Sequence, residues 1–227
     1  MLTFNIKTAR PPILYKYYSP KRVDFFEDLS VRFSRPDTFN DVFDINWSIP
    51  DKTGRRDLFA LRNTLGVFCT TSDPTNHLMW VHYAEEHKGF AIGFNSNAAL
   101  FSDGGAELRK VQYDPPPTTL VPPARELCWF KDPHWNYEKE WRCIRNFTLK
   151  DSRDIGLEPE AIHEIVLGAK MSNGDITTIL EMVHLLKPEY DIPVMVSKFD
   201  KAAHDITNVP STLSYCTRCN GKGHFRS

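Results

Sequence analysis

Apolar residues in this chain fall in short runs, separated by prolines, glycines and small polar residues. Ile13–Tyr17, Val31–Ser34, Leu65–Thr71, Phe90–Phe94, Leu108–Tyr113, Trp141–Phe147, Ile162–Leu167 and Pro193–Ser197 are β-branched or aromatic, with turn residues at their ends, and read as strands. Helical spacing is clearest over Asp175–Lys187. There Ile176, Ile179, Leu180, Val183 and Leu186 share one face, and Pro188 stops the helix. Asn76 sits where an N-cap precedes a second helix, His77–Glu86. Shorter helical turns are expected at Arg22–Asp28, Asp57–Asn63, Asn95–Leu100 and Pro122–Phe130. The strands do not alternate with long helices, as a parallel α/β fold would require. The pattern predicts an α+β fold: a single domain over 1–204, with a mostly antiparallel split β-sheet and peripheral helices. A polar C-terminal tail over 205–227 follows.

Composition narrows the class without choosing a function. The chain has 227 residues, a formal net charge of −1, 41% hydrophobic and 25% charged residues, all ordinary globular values. This balance gives no global signal for nucleic acid, and the N-terminal stretch has no apolar run of membrane-spanning length. Five cysteines, with Cys69, Cys128 and Cys143 scattered singly, fit reduced thiols in a cytoplasmic protein better than a disulfide scaffold.

Candidate chemistry centres on Trp135–Ile144, WNYEKEWRCI. On a strand, Glu138 and Glu140 point to the same side, two residues apart. Like charges held together raise the cost of ionising both. One of them can simply pair with Lys139 or Arg142 at the surface. Alternatively a carboxylate faces a cleft walled by Trp135, Tyr137 and Trp141 and stabilises a developing cation.

Other stretches carry weaker signals. His77, His82 and His87 are five residues apart, about 140° around a helix, so they do not form a metal face. Trp80, Tyr83 and Met79 read as core, with His82 and Tyr83 able to offer polar tips to a pocket. In FNDVFD, Asn40, Asp41 and Asp44 either make turns or present Asn40 or Asp41 to a ligand. Thr70, Thr71 and Ser72 end a strand with three hydroxyls. In the tail, Cys216, Cys219 and His224 form C-x2-C-x4-H, three of the four ligands that a structural zinc site needs.

In order and spacing, the stretches LYKYYS, FNDVFD, FCTTS, LMWVHYAEEHKGFAIGF and YEKEWRCI resemble the bacterial family known as domain of unknown function 2971, over roughly residues 13–200. Tyr18 stands where the family's first motif often has arginine. That family pattern is remotely similar to the ADP-ribosyltransferase fold: a polar first strand, a Ser/Thr-rich strand, then a late E-x-E strand. The resemblance implies an NAD-dependent ADP-ribosyltransferase or NAD glycohydrolase, in a toxin or phage-defence setting. It makes Glu140 the first catalytic candidate and Glu138 the second. Nucleotide contacts are then expected from Lys16, Tyr17, Asn40, Thr70, Ser72, Trp80, His82, Tyr83, Trp141 and Arg142. The acceptor can be protein, nucleic acid or water. The alternative is a nucleotide- or nucleic-acid-binding module without catalysis, its tail acting as a zinc knuckle.

Overall fold

The structure, a computed structural model, describes residues 9–41, 44, 61, 63–114, 124–186, 192–203 and 205–210. The expected Asp57–Asn63 turn lies largely outside the described residues, and the tail ligands Cys216, Cys219 and His224 lie wholly outside them.

The strands are β1 (Ile13–Tyr18), β2 (Ser30–Arg32), β3 (Leu65–Thr71), β4 (Phe90–Asn95), β5 (Glu107–Lys110), β6 (Glu140–Asn146), β7 (Asp154–Gly156), β8 (Ile162–Leu167), β9 (Val194–Asp200) and β10 (Asp205–Pro210). Among the described residues the complete α-helices are α1 (Phe25–Asp28), α2 (His77–Tyr83), α3 (Ala124–Leu127) and α4 (Asn173–Leu186). Eight strands form one sheet in the order β10-β9-β8-β4-β1-β3-β6-β5, while β2 and β7 make a separate ribbon. Among the described residues all pairings between these strands are antiparallel except β8–β9, which the α4 crossover joins in parallel. The fold is α+β with a mostly antiparallel sheet.

The expected split is a pinch, not a break. β1 pairs with β4 through six residues but with β3 only at Tyr15↔Thr71. The strands diverge from that point, and β3 instead pairs with Ser34 at Val67. The sheet also runs past residue 204. β10 pairs with β9 through six residues, from Asp205↔Asp200 to Pro210↔Met195. Its sequence, DITNVP, is too polar for the strand pattern; Ile206 is its one buried side chain.

Side chains alternate as a pleated sheet requires. On one face Leu14, Tyr18, Phe68, Phe90, Ile92, Phe94, Trp141, Cys143, Ile165 and Leu167 join Phe25, Phe26 and Ile179 in the main core. Its rings interlock: Tyr18 stacks on Phe90 at 5.5 Å, and Phe68 meets Phe94 edge-on at 5.7 Å. On the opposite face Tyr15, Tyr17, Ala91 and Val166 pack against Met79 and Trp80 of α2.

Helix α2 ends at Tyr83, three residues short of the expected Glu86. Glu85, Glu86 and His87 have φ of 47°, 57° and 72°, in the left-handed region. This turn folds His87 back, so that its Nε2 lies 3.2 Å from His77 Nδ1 and its ring meets Phe199 at 4.9 Å. Helical spacing alone keeps those histidines apart; the turn brings them together.

Candidate active site

Where β1 and β3 diverge, a cleft of about 400 Å³ opens. Tyr15, Lys16 and Tyr17 line it from β1, and Val67, Cys69 and Thr70 from β3. Met79, His82 and Tyr83 of α2 form another wall, with Phe39, Asn40 and Asp44 beside Ser34. Lys131, Glu138 and Glu140 form the charged floor.

The two glutamates reach that floor by different routes. Glu140 is the first residue of β6, opposite Thr71 of β3. Glu138 precedes the strand, at the end of a 3-10 turn over Pro133–Glu138, and Lys139 between them has φ of 46°. Their common side therefore comes from a left-handed step rather than from strand alternation. Thr71 fixes this step: its hydroxyl donates to the Glu138 carbonyl at 2.6 Å and accepts from the Asp73 N–H at 3.0 Å. Asn76 ties the helix to the same turn. Its Oδ1 caps Leu78 and Met79, and its Nδ2 donates to the Tyr137 carbonyl at 2.8 Å.

Five charged side chains interlock below the cleft. Lys131 donates to Glu138, and to Glu140 at 3.0 Å. Arg142 reaches Glu140 through Nε at 2.8 Å and holds Asp44 through both terminal nitrogens, at 2.9 and 2.5 Å. All five are buried, Arg142 completely. Tyr83 donates its hydroxyl to Glu138 Oε1 at 2.7 Å, and Tyr113 accepts the Glu140 N–H at 2.7 Å.

The carboxylates differ in two respects. Both Glu140 oxygens are engaged, Oε1 by Arg142 and Oε2 by Lys131 and Arg142. These cations outweigh burial and hold its carboxyl well below the usual range. Among the described residues each Glu138 oxygen accepts one bond, leaving capacity for a ligand hydroxyl. Burial, and then the Glu140 charge, push Glu138 above the usual range. Burial likewise raises Asp44, against the pull of Arg142. The Cys69 thiol, at the edge of the cleft, is raised by burial and by Glu140, which leaves it a neutral group.

Residues 79–121 match the model of a family described as protein of unknown function (DUF2971). The chain is similar to that family over this segment, a narrower span than the 13–200 region of the motif resemblance. The match covers Met79, His82 and Tyr83 of the cleft wall and the central strand β4. No curated protein and no solved structure matches the chain.

Of the expected contact residues, Lys16, Tyr17, Asn40, Thr70, His82 and Tyr83 share the cleft with Glu138 and Glu140. Four do not line it. Trp80 is fully buried, packs edge-on against Tyr17 at 4.9 Å and donates to the Pro74 carbonyl. Trp141 alternates to the other face of β6 and joins the main core. Ser72 lies beyond the strand end, its N–H on the Lys139 carbonyl at 3.4 Å. Arg142 acts from beneath, through Glu140 and Asp44. Sequence reasoning missed Lys131. Its only signal was a lysine set between apolar Trp129-Phe130 and Asp132-Pro133, where a charge is buried only with partners.

Proposed function

We propose that the cleft binds a nucleotide of the NAD class and that its carboxylates assist glycosyl transfer from the ribose. One observation carries this reading: two buried carboxylates of opposite protonation tendency lie on the floor of a cleft that also holds Lys16, Tyr17, Thr70 and Tyr83. In the reaction, the bond between ribose C1′ and the nicotinamide nitrogen breaks, and its electron pair leaves with nicotinamide. Positive charge develops on C1′ and the ring oxygen. The described cluster around the ionised Glu140, three carboxylates to two cations, supplies negative potential there. An acceptor O–H attacks C1′, and its proton passes to Glu138, the carboxylate with free acceptor capacity and a raised proton affinity. Lys16 at the rim suits the diphosphate.

The test is calorimetric titration of NAD followed by a nicotinamide-release assay. Glu138→Gln is expected to weaken NAD binding by no more than about tenfold and to lose roughly 10²–10⁴-fold in turnover at saturating NAD. Binding with no turnover in the wild type favours the second reading, a nucleotide-binding module. That reading draws on the engagement of Glu140 by Arg142 and Lys131. No binding at all removes both.

A further inference from the structure

Among the described residues, the charges under the cleft do not balance. Three buried carboxylates, Asp44, Glu138 and Glu140, share two buried cations, Lys131 and Arg142. One negative charge is in excess, in a setting where an isolated charge is expensive. The charges alternate as Asp44–Arg142–Glu140–Lys131–Glu138; of the two ends, Asp44 is held by Arg142 through two bonds and Glu138 takes one bond from Lys131, so the excess is least compensated at Glu138, which lines the cleft. Among the described residues lining the cleft, Lys16 and His82 are the other groups able to carry positive charge. The Lys16 ammonium lies over the Phe68 ring, 5.5 Å from its centre, rather than among the carboxylates. His82 is on the exposed side of α2 and faces the Tyr137 ring at 6.4 Å. Aromatic side chains complete the walls: Tyr15 and Tyr17 from β1, Tyr83 from α2, and Phe39.

We infer that the floor of this cleft is a seat for a monocation, a flat heteroaromatic cation or an ammonium group, and that the arriving cation takes the place of a proton on Glu138. The inference deepens the proposed function by naming the charge of the ligand group that enters first, and it rests on the same cleft being the binding site. Without a ligand, the excess charge is relieved by protonating the carboxylate that opens on the cavity, consistent with the upward shift of Glu138. A cation beside Glu138 favours its ionised form, so its proton affinity falls on binding and a proton leaves. The release is confined to pH values below the raised value of the free protein; well above it, no proton remains to leave. Other groups facing Glu138 are Lys131, Glu140, Tyr137, which burial raises, and the more deeply buried Tyr83 and Tyr113. The tyrosines stay neutral, because burial raises each above its usual value.

The probe is 1-methylnicotinamide, a cation, set against neutral nicotinamide of nearly the same shape. Calorimetry on the full chain, in two buffers of different ionisation heat, between about pH 5 and pH 9, reads affinity and proton count together. The expected result is at least about tenfold tighter binding of the cation. Up to one proton is released at the acid end of the range and none at the alkaline end. Glu138→Gln, which removes the excess charge and keeps the shape, is expected to bring the two affinities within about twofold. The wild-type proton count stands as the test if that variant fails to fold. Equal affinity for the two probes, or cation binding without proton release at any pH, overturns the inference. Because 1-methylnicotinamide has no ribose, the result is separable from the reading above. A cation preference without NAD turnover removes only the glycosyl-transfer reading, and turnover without a cation preference removes only the seat.

Discussion

Strand β6 has two buried faces of opposite chemistry. Trp141 and Cys143 enter an apolar core of interlocked rings, whereas Glu140 and Arg142, one residue out of phase, enter a charged cluster. Burial is equally complete on both faces: Cys143 and Arg142 are each 0% exposed. On the apolar face it stabilises the fold, by roughly 1.5–3 kcal/mol for each large side chain removed from water. On the charged face it costs several kcal/mol per ion, and the mutual attraction does little more than offset that cost. Stability therefore explains the first face and leaves the second unexplained. The proposed ligand seat beside Glu138 would give the second face its reason.

The largest expected effect is on the charged face. Arg142→Leu leaves Asp44 buried without its cation and Glu140 with Lys131 alone, and urea unfolding is expected to show a loss of about 3–5 kcal/mol. A triple variant, Asp44→Leu with Glu140→Leu and Arg142→Leu, is expected to regain most of that loss. If the triple is as unstable as the single, uncompensated charge is not the cause. A smaller effect is expected at His87, a titratable ring set among Trp80, Phe199 and His77 with no carboxylate partner among the described residues. Burial, with His77 and Lys170 nearby, lowers it from 6.5 to about 4. Its folded value lies below its unfolded value. Stability is therefore intact above about pH 6.5 and falls as pH drops towards about 4, by no more than about 3 kcal/mol. Thermal unfolding across that range checks it, and His87→Phe should flatten the slope.

Asn76→Ala is expected to cost about 1 kcal/mol through the lost cap. It also frees the Tyr137 carbonyl, so NAD affinity should fall more than stability explains. On the apolar face, Ile165→Val should cost about 1 kcal/mol and leave ligand binding unchanged, which measures the plain price of a methylene in the main core. The smallest stability change is expected for Glu138→Gln, within about 0.5 kcal/mol, because it removes the charge in excess. A loss above about 2 kcal/mol would mean that Glu138 is a structural ion-pair partner like Arg142, and the two faces would differ less than stated here.

The sequence by itself determined the strand identities along most of the sheet. LGVFCTT over Leu65–Thr71 and IHEIVL over Ile162–Leu167 were readable to the residue, because β-branched and aromatic runs between turn residues have few alternatives. It also determined the α4 stripe and the Asn76 cap, both set by local spacing. It marked Glu138 and Glu140 as a pair. β10 was not legible, since a polar edge strand is held by backbone bonds to β9 and has almost no apolar pattern of its own. Nor was the early end of α2, where three left-handed residues override helix-forming side chains.

Only the tertiary structure decided how the site is wired. Lys131 meets Glu138 within a short segment, but Asp44 meets Arg142 across 98 positions of chain, and Tyr83 meets Glu138 across 55. Such contacts depend on β1 and β3 parting after a single residue pair, and strand patterns carry no record of where neighbours diverge. The protonation of the two glutamates was equally hidden. Two residues apart in sequence, they shift in opposite directions, because Arg142 and Lys131 both lie against Glu140 while burial and the Glu140 charge prevail at Glu138. Local spacing sets which side chains share a face; the packing of distant segments sets which of them share a charge.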